Sequence, residues 1–401
     1  MTAETGFPLD ADIREIIGQD AERLTEAIED HHLRSLAPGR NKQLRGFTSA
    51  EAAELLGVSA GNLRKLHAEK KLPEITGGTP GKKLYTAQDI LDIRRILVRT
   101  ARNPRQMLPV RMGDEKLQVL VISTFKGGSA KTTSAAYLAQ RFALKGYRVL
   151  VVDMDPQASL TNMLGLRPDL DLQGVPTIYD ALRYDEERRP MSDVVRPTYF
   201  PGLALAPASL ILSEFETTTP AALRGGEPEP FYTRLASALT AVEADFDLVF
   251  VDCPPQLGFL TLTAMTAASA LLVPVIPNMI DVASLGQFMT MAASALDQID
   301  EAAPGSFRYD FLRYLFCRYE PQDGPQTPVA AFLRNLFPGR VMINQFLKST
   351  AIADAGLTSD TIYEIERSQM NRATITRALE SINLVADELE RDIHQVWGRK
   401  V

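Results

Sequence analysis
Cysteine is nearly missing from this chain: there are two in 401 residues, Cys253 and Cys317. Both lie in apolar, strand-like runs, so neither a disulfide scaffold nor a paired-cysteine metal site is indicated, and a reducing cytosol is the expected compartment. Histidine is almost as sparse, and His31, His32, His67 and His394 are too scattered to make a ligand set. Long hydrophobic runs are lacking too. The longest uncharged one, Ala267 to Pro277, is too short for a bilayer span, which takes about 20 residues, and the N-terminus MTAETGFPLDAD has no apolar leader core. Neither export nor membrane insertion is expected. A net charge of −7 excludes a uniformly basic nucleic-acid coat.

What is present is an ordinary globular composition, 45% hydrophobic and 23% charged, with length for two domains. The charge is unevenly spread. Between Arg40 and Arg111 there are fifteen Lys or Arg against six Asp or Glu, so a basic segment sits inside an acidic protein. Ahead of it, Asp10 to Leu36 is acidic with an apolar stripe at helical spacing: Ile13, Ile16, Ile17, Leu24, Ile28 and Leu33. Such a stripe packs on its own domain or on a second subunit. The expected organisation is an amphipathic helix in 1–40, a small basic domain in 41–102, a linker in 103–116 carrying Pro104 and Pro109, and a large domain in 117–401. In the large domain, LQVLVIST, RVLVVD, FDLVFVDCPP, ALLVPVIP, FLRYLFCRY and VMINQF alternate with helical stretches. That alternation predicts an α/β fold with a doubly wound, mostly parallel sheet.

The stretch VISTFKGGSAKTT, Val121 to Thr133, leaves a strand and enters a helix, where backbone N–H groups converge on an anion. Gly127 and Gly128 let the backbone approach it, Lys131 supplies charge to the β- and γ-phosphates, and Thr132 places a hydroxyl for Mg²⁺. Ser129, Ala130 and Thr133 complete the loop. Two further runs, VLVVDMDPQ and FDLVFVDCPP, end strands in Asp153, Asp155 and Asp252, where an open sheet presents its ligand groups.

Phe125 and Ala130 replace the two glycines of the ordinary phosphate-loop spacing, leaving K-G-G-x-x-K-T-[ST], which resembles the deviant Walker A motif of the ParA/MinD family. The resemblance runs from Leu117 to Val401, and FLKSTAIADAGLTSDTIYEIERSQMNRATITRALESINLVADELE is similar to the C-terminal part of the RepA-type partition ATPases of repABC cassettes. It implies a homodimer with ATP sandwiched between subunits, in which Lys131 serves its own subunit's nucleotide and Lys126 reaches its partner's. It also implies that Asp155 orients the attacking water, that Thr132, Asp153 and Asp252 hold Mg²⁺, and that Pro277 to Asp281 and Cys317 to Pro321 lie near the base of ATP or ADP. The family usually has glycine before the second lysine. If Ala130 needs positive φ, alanine costs about 1 kcal/mol.

In the basic segment, FTSAEAAELLGVSAGNLRKLHAEKKLP reads as a helix opening at Thr48 or Ser49, a turn at Gly57, and a second helix capped by Ser59. Asn62, Arg64 and Lys65 point outward on that second helix, and TGGTPGKKLYTAQDI adds a wing with Lys82 and Lys83. From Gly46 to Val98 the segment resembles the winged helix-turn-helix of MerR-type regulators. RepA-type proteins segregate low-copy plasmids with a ParB-type partner, bind DNA non-specifically as the nucleotide-bound dimer, and repress their own operon. For non-specific contacts Arg340 and Lys348 are the candidates, followed by Arg367, Arg372 and Arg377. Membrane-binding relatives end in a basic amphipathic helix, whereas here Glu380, Asp387, Glu388, Glu390 and Asp392 occupy the polar face and would be repelled by anionic lipid. Iron–sulfur relatives need interface cysteines that this chain lacks. The alternative reading is a repressor that binds nucleotide only as a regulatory ligand.

Overall fold
The computed structural model describes residues 13–35, 42–79, 82–305, 307–366 and 371–400. They fall into two units, Met1–Lys42 and Gln43–Val401. In the first, residues Ile13–Ser35 form a helix on which Ile13, Ile17 and Leu24 are each more than 60% exposed. Ile28 and Leu33 lie outside the described side chains.

The second unit opens with β1 (Phe47–Thr48), helices Ser49–Leu56 and Ala60–Ala68, β2 (Gly78–Thr79), β3 (Lys82–Tyr85) and helix Ala87–Leu97. The three strands form an antiparallel sheet in the order β1-β3-β2. Local chemistry sets these boundaries. Thr48 and Glu51 exchange a reciprocal pair of hydrogen bonds at the first helix start, and Gly57 ends that helix at φ 67°, a conformation that favours glycine. Ala52, Ala53, Leu56, Leu63, Tyr85 and Ile90 close a small core that is continuous with that of the large domain. Arg94 ties the small domain to the segment that follows it: its buried guanidinium donates to the carbonyls of Leu55 and Met107. Residues 103–116 are tied down along their length. Arg111 N–H donates to Asp247, Arg399 donates to the carbonyls of Pro109 and Val110, and Trp397 donates to the carbonyl of Lys116.

The large sheet comprises β4 (Gln118–Ile122), β5 (Val149–Asp153), β6 (Arg196–Pro197), β7 (Leu203–Ala206), β8 (Leu248–Asp252), β9 (Ala270–Val275) and β10 (Phe311–Phe316), in the order β10-β9-β4-β8-β5-β7-β6. All pairings are parallel except β6 with β7. Every residue of β4, β5, β8 and β9 is buried, as expected of strands covered on both faces. Leu120 and Ile122 of β4 feed one apolar layer, Val119 and Val121 the other. The VMINQF run is not a strand of this sheet: it follows β10 through separate contacts, with isolated bridges Val341–Tyr314 and Leu347–Tyr319 and N–H donation from Met342 to Tyr314 and from Phe346 to Phe316. Helix Met279–Ala302 is long and apolar enough to cross a membrane by length and composition, but Leu285, Phe288, Ala292 and Ile299 join a buried layer of the protein. The C-terminal helix Arg372–Val396 uses its acidic face within the fold. Glu388 accepts from the N–H groups of Ile343 and Asn344, and Asp387 and Glu390 pair with Lys145 at 2.6 Å.

Candidate nucleotide site
The central β4 lies between β8 and β9, strands far from it in sequence, so a crevice opens at the carboxyl ends of the strands. Ile122 is in register with Asp252, and Asp252 with Asp153. This brings the loop after β4 over two strand-end carboxylates.

That loop runs into helix Lys131–Lys145, whose N-cap residue, Ala130, makes no side-chain capping bond. The N–H groups of the first turn therefore remain available to an anion. Ala130 itself sits at φ 70°, ψ 28°, so alanine occupies a left-handed position that normally suits glycine. Gly128 is also left-handed, at φ 74°, and a Cβ placed on Gly127 would meet no atom within 4 Å. Open space lies over the loop, in keeping with a cradle for phosphate. Ser129 is 4% exposed and its hydroxyl has no partner among the described residues.

A cavity of about 610 Å³ extends from this loop. Gly127, Gly128, Ala130, Lys131, Thr132, Thr133 and Asp155 form its phosphate end, with Pro255, Arg318 and the Phe346–Thr350 segment on the other walls. Lys131 is only 7% exposed, and its ammonium donates to the carbonyl of Lys126 at 3.2 Å. Burial depresses its pKa, opposed by the nearby carboxylates of Asp252 and Asp155. A buried ammonium curled onto its own loop is placed to exchange that carbonyl for a phosphate oxygen. Lys126 does not line the cavity; its side chain is 40% exposed and its ammonium is paired with Asp281.

The three strand-end carboxylates have different surroundings. Asp153 is fully buried and committed: it accepts from the N–H and hydroxyl of Thr161 at 2.9 and 2.7 Å and from the N–H of Asp155 at 3.1 Å. It shapes the loop that carries Asp155. Asp252 is equally buried, yet neither of its oxygens has a hydrogen-bond partner in normal geometry among the described residues. Burial drives its pKa well up, the neighbouring Asp153 adds to this, and the Thr132 hydroxyl and Lys131 oppose it. An orphaned carboxylate beside a threonine hydroxyl fits a hydrated Mg²⁺. Asp155 faces the cavity, with one oxygen accepting from the N–H of Gln157 at 2.9 Å.

Other expected residues lie elsewhere. Pro277 is buried and, like the rest of 277–281, does not line the cavity, whereas Cys317 and Arg318 do. Lys348 was expected on a DNA face. It is exposed, lines the cavity mouth and pairs with Glu320 at 2.7 Å. Arg340, Arg372 and Arg377 are exposed, while Arg367 lies outside the described residues. In the basic segment the Ser59 hydroxyl is spent capping Asn62 N–H at 3.1 Å, and Asn62, Arg64, Lys65 and Lys83 are exposed. Lys82 is in β3, and its side chain lies outside the described ones. The sequence pointed to Asp281 only as the end of a range expected near the base, not as the partner of Lys126, and did not single out Pro255. Arg318 carried a signal, since it follows an apolar strand directly.

A family model described as an AAA domain matches residues 117–302. A protein of Sinorhizobium fredii with the provisional name replication protein A is 43% identical over 391 residues, 96% of this chain and 95% of that one. A cobyrinic acid a,c-diamide synthase from Mycobacterium smegmatis, solved with an ATP analog and magnesium, is 26% identical with a TM-score of 0.54, covering 71% of this chain and 98% of its own. A structure described as a partition protein matches 97% of this chain and 100% of its own, with a TM-score of 0.64. At 18% identity it speaks for the fold alone.

Proposed function
Because the chain belongs to the ParA-type family of P-loop ATPases, we propose that it is an Mg²⁺-dependent, ATP-hydrolysing DNA-segregation protein of the cytoplasm and nucleoid. The observation that carries this reading is the separation of the two lysines of one loop. Lys131 lies inside the cavity, while Lys126, five residues earlier, lies outside it on a partly exposed face. One lysine serves the subunit's own phosphates, and the other is free to serve those of a second copy once its local ion pair opens.

The N–H groups of Gly127 to Thr132 hold the phosphates of ATP, and Lys131 neutralises their charge. Thr132 and Asp252 would hold a hydrated Mg²⁺, which would offset charge on the phosphates of ATP. Asp155, at the cavity wall, orients water for in-line attack. In the nucleotide-bound dimer, exposed basic residues such as Arg340, Arg372 and Arg377 contact DNA backbones without regard to sequence. The helix pair Ser49–Leu56 and Ala60–Ala68 with its β-hairpin acts as a winged helix-turn-helix, presenting Asn62, Arg64 and Lys65 to operator base edges. A ParB-type partner stimulates turnover, and operator binding represses the chain's own operon.

Two measurements test this. Steady-state ATP turnover with and without DNA and a basic partner peptide separates an ATPase from a repressor with a passive nucleotide ligand; no turnover under any condition would favour the repressor. Titration of operator and random duplexes at several salt concentrations tests the two DNA modes. Arg64→Ala with Lys65→Ala should abolish operator preference and keep ATP-dependent general binding, and Lys131→Gln should do the reverse. Parallel loss of both modes in both variants would replace two surfaces by one.

A further inference from the structure
We propose that Glu216 is a positioning residue for ATP turnover, acting from outside the cavity to hold the loop that follows Asp252 as a fixed wall of the nucleotide site. The proposal deepens the reading above and rests on this cavity hydrolysing ATP with Asp252 serving Mg²⁺.

Strand β8 ends at Asp252, and the next helix is Phe259–Ala267. Its N-cap residue is Gly258, which has no side chain to offer the free N–H groups of the first turn. The cap comes from a separate element. Glu216, in helix Ser213–Gly225, accepts from Phe259 N–H on one carboxylate oxygen and from Leu260 N–H on the other, both at 2.9 Å. Gly258 is what admits it, since a Cβ there would fall 2.4 to 2.7 Å from the Glu216 carboxylate. Helix Ser213–Gly225 lines no part of the nucleotide cavity and is itself fixed. Its Phe215 and Thr219 are fully buried, the Tyr184 hydroxyl lies 2.7 Å from that of Thr219, and Tyr179 donates to Glu214 at 2.9 Å.

The loop between Asp252 and Gly258 has little freedom of its own. Thr261 donates its hydroxyl to the Gln256 carbonyl at 2.6 Å, and the Asp252 carbonyl accepts from Met154 N–H at 2.9 Å. Between those ties lie Cys253, Pro254 and Pro255, and the two proline rings fix φ. A shift at the helix start therefore passes along the loop instead of being absorbed in it. Pro255 lines the nucleotide cavity, and Asp252, at the head of the loop, holds the orphaned carboxylate. Glu216 thus stands to this wall as an outer partner stands to a ligating group, setting its place without touching the nucleotide.

The test uses the full-length chain as wild type, Glu216→Gln, Glu216→Ala, Gly258→Ala and the double variant Glu216→Ala with Gly258→Ala. The backbone at Gly258 is extended, φ −102°, so alanine is unstrained there and its methyl displaces the carboxylate from the other side. Each alanine variant should lower kcat about tenfold or more, and should lower by a similar factor the extra affinity that Mg²⁺ confers on a non-hydrolysable ATP analogue in calorimetry. ADP affinity in EDTA should stay within about twofold of wild type, because the phosphate loop is untouched. Glu216→Gln, which keeps one acceptor oxygen, should fall between. The double variant should match the worse single one, since both remove one contact. In the nucleotide-free protein, hydrogen exchange at Gln256 to Gly258 should quicken. Faster exchange with kcat and the Mg²⁺ gain both at wild-type levels would make Glu216 a helix cap alone and overturn the proposal; so would unchanged exchange, or an equal loss of ADP affinity in EDTA. The underlying reading fails separately, if wild type shows no ATP turnover or if Asp252→Asn keeps the full Mg²⁺ gain.

Discussion

Replacing Asp252 by asparagine should make the nucleotide-free protein more stable and the nucleotide-bound protein less so. The carboxyl of Asp252 is fully buried, has no hydrogen-bond partner in normal geometry among the described residues, and has its pKa driven up by burial against the weaker opposing effect of the Thr132 hydroxyl and Lys131. Near pH 3 an aspartate is largely protonated in both folded and unfolded chains, and Asp252 then costs little. As pH rises, the unfolded chain releases its proton first, the folded state binds more protons, and stability falls until Asp252 itself ionises. An unpaired buried polar group costs roughly 1–3 kcal/mol, and the positive charge of Lys131 offsets part of this. Asp252→Asn should therefore exceed wild type by about 2 kcal/mol at pH 8 in EDTA, or about 3 °C in melting temperature for a unit of this size. The two proteins should converge near pH 3. With Mg²⁺ and ATP at about a hundredfold over the dissociation constant, wild type should gain about 2.7 kcal/mol and the variant much less. Equal stability of the two at pH 8 without ligand would show that Asp252 has a partner after all. Full Mg·ATP stabilisation of the variant would remove it from the metal site.

Asp155→Ala should bind ATP and dimerise yet turn over about a hundredfold or more slowly, measured as single-turnover phosphate release, because water positioning is lost; a wild-type rate would sink the assignment. Ala130→Gly exchanges about 1 kcal/mol of left-handed strain for a comparable loss of unfolded-state entropy, so urea unfolding should place it within about 0.5 kcal/mol of wild type. A large destabilisation would show that the Ala130 methyl packs more usefully than its φ of 70° suggests. Glu216 accepts from the N–H groups of Phe259 and Leu260, both at 2.9 Å, and so anchors the helix that follows the Asp252 loop. Glu216→Ala should cost about 1–2 kcal/mol by the same measurement, and no loss would mean that water replaces the carboxylate at that helix start.

The sequence by itself determined what short-range chemistry controls. Apolar runs marked the buried strands, Thr48, Ser59 and Gly57 marked helix ends, and the loop from Lys126 to Thr133 marked a phosphate cradle entering a helix. Asp153, Asp155 and Asp252 could be placed at strand ends because a strand's end is visible where its apolar run stops. Their different fates could not. The commitment of Asp153 to Thr161 and the orphaned state of Asp252 depend on β5 and β8 lying side by side, in a sheet order that departs from chain order. The same holds for Lys126 with Asp281, for Lys348 in the cavity wall, and for the connector sewn down by Arg111 and Arg399. VMINQF was misread because an apolar run supplies strand propensity but not a continuous ladder, and beside β10 it makes only separate contacts, at Val341–Met342 and at Phe346–Leu347. Periodicity and capping act over a few residues and survive in the sequence alone. Ion pairs and orphaned charges are set by which strand ends become neighbours, and only the folded sheet decides that.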